Sequence, residues 1–155
     1  MINKTWSFIL AIGLYVQTAQ SQETDPTFVV CEHVRIWPYY HPDLTNKISF
    51  WDIKHHFEKD YPLSSFQKMK HNSGIITVKF WVNCHGEMGG FNVLECDLTY
   101  KETQLNVGIS NYFLKKTKLL TQWEVPVNSH GTQVNSHKFY SFRIVNGKLI
   151  QILPK

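Results

Sequence analysis

The sequence predicts an α+β fold, a small antiparallel sheet of three to four strands with two helices packed on one face. Three observations carry that expectation. From Ile76 to Cys84 apolar residues take every second position (Ile76, Val78, Phe80, Val82, Cys84), with Thr77, Lys79, Trp81 and Asn83 between them. That is the period-2 pattern of a strand with one buried face. Between Gln104 and Gln122 the spacing turns helical, and Leu105, Ile109, Tyr112, Phe113, Leu119, Leu120 and Trp123 fall on one side of a 3.6-residue wheel. Asn146-Gly147 then separates two strand-like runs, the dipeptide of a type I′ hairpin.

The N-terminus predicts export. Lys4 precedes an uncharged apolar run from Trp6 to Val16, and Ala19-Gln20-Ser21 has the small-x-small form of a signal-peptidase site. The run falls short of the ~20 residues that span a bilayer. Residues 1–21 are therefore read as a cleaved signal peptide and the product as periplasmic or secreted. An uncleaved anchor extended through Thr18 and Ala19 is the alternative. Residues 22–47 are read as an extended arm, and 48–155 as one domain with its own core.

The net charge of +4 comes from 16 basic and 12 acidic residues spread along the chain. Its densest basic group, Lys115, Lys116 and Lys118, sits on the predicted helix and reads as a wet helix side, with Lys116 inside the apolar stripe and its ammonium snorkelling outwards. No nucleic-acid partner is expected.

The arm carries Trp37-Pro38-Tyr39-Tyr40-His41-Pro42, whose prolines exclude a helix and suggest an extended segment pinned by its rings. Ser49 with Asp52 resembles a capping box that opens a short helix, Ile53 and Phe57 share its apolar face, and Tyr61-Pro62 ends it. After the first long strand, a turn between His85 and Gly90 and a second strand from about Phe91 to Leu98 are expected. Phe139, Ser141, Arg143 and Val145 alternate with Tyr140, Phe142 and Ile144, and Lys148 to Leu153 returns as the last strand.

Three cysteines in an exported chain permit one disulfide and one free thiol. A turn between His85 and Gly90 sets Cys96 opposite a residue near Lys79, which makes Cys84 and Cys96 poor partners. Cys31–Cys84 is the expected bridge, and Cys96 the expected buried thiol beside Leu94 and Leu98.

Catalysis would need a nucleophile with a base, paired carboxylates or a metal set. Cys84 and His85 are strand neighbours facing opposite sides. His55 and Glu58 share a helix face but lack further ligands, and Cys31 with His33 is the remaining thiol–imidazole pair. No catalytic residue, metal or cofactor is assigned.

The order of these elements, with Tyr61-Pro62 upstream of the hairpin that opens at Gly74, then the long helix, Trp123, Gly131-Thr132-Gln133-Val134 and a final strand, resembles the C-terminal domain of TonB-family proteins over Ile48 to Leu153. The family usually has Trp-x-Pro where this chain has Trp-Glu-Val-Pro. The resemblance implies a protein-binding domain whose partner is a TonB-dependent outer-membrane receptor or its transport apparatus. It also implies a free edge strand, Phe139, Ser141, Arg143 and Val145, that accepts an extended partner segment. If Lys148 to Leu153 folds onto that edge, pairing moves outwards to Lys148 and Ile150 or is lost. Force-transmitting members have an uncleaved anchor and a long Pro-rich spacer. Without them, a stand-alone adaptor, competitor or structural version is expected. A membrane-anchored transducer, if the apolar run is retained, and a secreted ligand-binding module of cystatin-like shape are the other readings.

Overall fold

A computed structural model describes residues 28–32, 36–38, 49–121 and 123–154. The expected signal peptide and most of the arm, including His33, lie outside the described residues. In chain order the elements are β1 (Ile36–Pro38), α1 (Phe50–Glu58), α2 (Leu63–Phe66), β2 (Gly74–Val82), β3 (Met88–Cys96), α3 (Val107–Lys118), β4 (Asn135–Val145) and β5 (Lys148–Leu153). The fold is α+β, with one more helix than expected and a five-stranded sheet in the order β1-β4-β2-β3, β5 also pairing with β4. The sheet is mixed, because β1 runs parallel to β4 while every other pair is antiparallel.

The period-2 pattern sorts the strands. Ile76, Val78, Phe80 and Val82 of β2 and Tyr140, Phe142 and Ile144 of β4 point to one face and are buried. Ile53 and Phe57 of α1, Phe66 of α2, and Ile109 and Phe113 of α3 cover them. Phe113 stacks on Phe142 at 4.2 Å, and Phe57 lies 4.6 Å from Phe142. Offset and tilted rings at these separations add to the burial term.

Helix ends follow from local hydrogen bonding. Ser49 Oγ accepts from the Asp52 N–H at 3.2 Å and donates to the Asp52 carboxylate at 2.7 Å, starting α1. The long helix begins later than its apolar stripe suggests. The Leu105 N–H donates to the Glu95 carboxylate at 2.6 Å, and the Asn106 side chain caps Gly108 at 3.0 Å. Lys116 does turn its ammonium out of the core, to the His56 and Lys59 carbonyls at 3.1 Å each. A cation at the carbonyl end of α1 is favoured by the helix dipole. His56 Nε2 lies 2.7 Å from the Lys116 carbonyl. A carbonyl can only accept, so this nitrogen carries the proton.

The first hairpin turns earlier than expected. Asn83 Oδ1 accepts from the N–H groups of His85 and Glu87 at 3.0 and 2.9 Å, and the Asn83 N–H donates to the Glu87 carbonyl. Cys96 consequently pairs with Ile75, not with a residue near Lys79. It is a half-buried free thiol on the face away from the helices, and its neighbour Leu94 is 42% exposed, so neither belongs to the core. Gly89 and Gly90 lie inside β3 instead of in the turn. A Cβ on Gly89 would meet the Phe28 ring at 2.1 Å, and one on Gly90 the Trp81 ring at 2.6 Å. Close ring contact therefore requires both glycines.

Candidate binding surface at the outer strand

The edge inferred from resemblance is not free. Phe139, Ser141, Arg143 and Val145 lie on β4, which pairs with β2 along its length and with β5 from Ser141 to Val145. Their side chains alternate with the buried Tyr140, Phe142 and Ile144 and face away from the helices. Asn146 and Gly147 both have positive φ, 48° and 72°, the type I′ geometry that folds β5 directly back onto β4. Lys148 pairs with Val145, and Ile150 is the extra residue of a bulge, because Arg143 pairs with Gln151 while Ile144 pairs with Leu149. The bulge explains the irregular apolar spacing of this strand. Leu149 and Ile152 are three positions apart, yet both join the core face.

Among the described residues no strand pairs with the outer edge of β5. Beside it lies an open groove of about 390 Å³ between α1 and β5, lined by Phe50, Trp51, Lys54, Ile150 and their neighbours. Trp51 is 72% exposed and Ile150 52% exposed. Burial of Ile53 and Phe57 fixes the inner side of α1 and so turns Trp51 outwards. Lys54 reaches 5.8 Å over the Trp51 ring and 3.2 Å from the Glu58 carboxylate. The groove thus combines an unpaired backbone edge, an aromatic wall and a charged rim. The sequence signal for Trp51 is its position two residues before Ile53, which on a 3.6-residue wheel places it opposite the core.

Cys31 and Cys84 form the disulfide at the other end of the sheet. The bridged segment is held by reciprocal bonds between the Cys31 backbone and the Asn135 side chain, at 3.1 and 2.9 Å, and by Asn83 Nδ2 donating to the Val29 carbonyl at 3.0 Å. Donor atoms of Cys31, Cys84 and His85 lie within 4.8 Å of one another, with the two sulfurs already bonded together. A thiol nucleophile at Cys31 would require that bond to open.

A second concavity, about 420 Å³, is floored by Met88, Phe91 and Trp123, with Lys118 5.4 Å over the Phe91 ring. Behind it Lys138 is buried with its ammonium 4.3 Å above Trp123. Burial pushes the Lys138 amine down to about 7, partly opposed by the Glu124 carboxylate.

No described helix is long and apolar enough to cross a membrane. Compared with family models, curated proteins and solved structures, the chain matches none.

Proposed function

We propose that this chain is an exported, non-catalytic protein-binding domain, periplasmic or secreted, that takes an extended partner segment by strand addition along β5. The supporting observation is the outer edge of β5 lying beside the Trp51 groove. An added strand gains main-chain hydrogen bonds from the edge, and every second side chain can drop into a flanking pocket. The resemblance to TonB C-terminal domains supplies the partner class, a TonB-dependent outer-membrane receptor or its transport apparatus. Engagement moves one strand outwards from the edge first inferred, to Lys148 and Ile150.

Synthetic peptides matching the N-terminal segments of such receptors, titrated into isotope-labelled protein, test the reading. Amide shifts should concentrate in β5 and α1 and shrink in Trp51→Ala and Ile150→Asp. Shifts centred on β3, or none with any peptide, would reject it.

A further inference from the structure

We propose that the sheet face opposite the helices is a binding platform for an anionic polysaccharide. This surface adjoins the β5 edge at Lys148 but does not depend on strand addition. Ile75, Thr77, Lys79 and Trp81 of β2 stand opposite Arg143, Ser141, Phe139 and His137 of β4. Their partners of opposite parity carry the core, so these eight side chains share the open face. Gln151 and Lys148 extend it across β5, beside Arg143 and Val145.

Basic charge dominates this face. Lys79, Arg143 and Lys148 lie on β2, β4 and β5, and among the described residues the carboxylate in its cross-strand rows is Glu102, opposite Cys96 at the far margin. The Lys54–Glu58 ion pair lies on α1, away from this face. Three cations against one carboxylate at the margin leave a net positive field that favours an anionic partner.

The remaining groups select the kind of anion. Trp81 lies across Gly90, beside Phe28, and meets His137 edge to face at 6.1 Å. Phe139 follows one step along the strand, then the Thr77–Ser141 hydroxyl pair at 2.8 Å, then Arg143. Aromatic ring, hydroxyl pair and cation therefore succeed one another over about 20 Å along the strand direction. Sugar rings offer apolar C–H faces to stack on such rings and hydroxyls to bond with Thr77 and Ser141. Carboxylate or sulfate substituents meet Lys79 and Arg143. A bilayer surface would instead reward a continuous row of protruding apolar side chains; here the central rings are half-buried and the exposed Leu94 and Leu153 stand apart on the flanking strands.

Polygalacturonate is the direct probe, with dextran as the neutral polymer, and binding is followed by calorimetry at several salt concentrations. The intact protein should bind polygalacturonate, increasingly weakly as salt rises, and leave dextran unbound. Lys79→Gln with Arg143→Gln should lower affinity at least about tenfold and flatten the salt dependence. Lys115→Gln, an exposed substitution on the helix side, should change neither. Trp81→Ala should weaken binding at all salt concentrations. Should that variant fail to fold, Lys79→Gln alone, at an exposed site, still tests the charge contribution and should weaken binding most at low salt. Absence of polygalacturonate binding, equal binding of dextran, insensitivity to Lys79 and Arg143, or preference for anionic vesicles or single-stranded DNA would each overturn the proposal.

Discussion

The ammonium of Lys138 sits 4.3 Å above the ring of Trp123, inside the protein. Its amine titrates near 7 in the fold against the ordinary 10.5 of the unfolded chain. Between those values the unfolded chain holds more protons than the folded one, so stability rises with pH, by at most about 1.4 kcal/mol per unit. Burial raises the Cys96 thiol above its ordinary 9.0, raises Tyr112 to about 12 and raises Tyr61 further. Those three act in the opposite sense, because folding then disfavours their ionised forms as pH climbs. The lysine effect is therefore read from about pH 7 to about pH 8.5, below the thiol and tyrosine range. Urea midpoints should rise across that window in the native protein and stay flat in Lys138→Met. Parallel slopes would remove Lys138 as the cause.

Closing the chain between Cys31 and Cys84, 53 residues apart, restricts the unfolded state. The chain-entropy model puts this at about 4 kcal/mol. Reduction, or the double change Cys31→Ser with Cys84→Ser, should lower the unfolding free energy by that order, and the double variant keeps Cys96 as its remaining thiol. A difference below about 1 kcal/mol would mean that the reduced chain retains the same restriction.

Gly147 and Gly131 share a left-handed backbone, φ 72° and 74°, but differ in surroundings. A Cβ at Gly147 would meet the backbone of Phe66 and Gln67 at 2.5 Å, whereas at Gly131 nothing lies within 4 Å. Gly131→Ala should therefore show the conformational cost alone, about 1–2 kcal/mol. Gly147→Ala should lose more, because the turn must also move off the end of α2 and away from the Tyr61 hydroxyl, which donates to the Gly147 carbonyl at 2.9 Å. Equal losses in denaturant titrations would rule out the packing contribution.

These cases mark where local sequence determines structure. Ile76 to Val82, Ser49 with Asp52, and Asn146-Gly147 each state their conformation within a few residues, through parity, a cap and a positive φ. The departures arise from partners distant in sequence. Gly89-Gly90 looks like a turn, but the rings of Phe28 and Trp81 use its bare backbone while Asn83 makes the turn. β1 has three residues and takes its parallel place on β4 only through pairing about a hundred positions away. Part of the candidate groove was legible, since the wheel position of Ile53 already turns Trp51 outwards. Its floor was not, because it depends on the Ile150 bulge, which appears only when β5 docks on β4.

Trp51 and Phe113 separate binding from folding. Phe113 is fully buried and stacked on Phe142, so Phe113→Ala should lower stability by about 3–5 kcal/mol. Trp51 is 72% exposed on α1, and Trp51→Ala should move stability by no more than about 0.5 kcal/mol. A side chain of that size, exposed without a stabilising role, is the expected wall of a surface that another chain completes. If β5 recruits an extended segment, Trp51→Ala should weaken receptor-peptide binding at unchanged urea midpoint, while amide shifts along β5 shrink in proportion. A variant that loses stability and binding together would instead assign Trp51 to the fold, and the groove would no longer support strand addition.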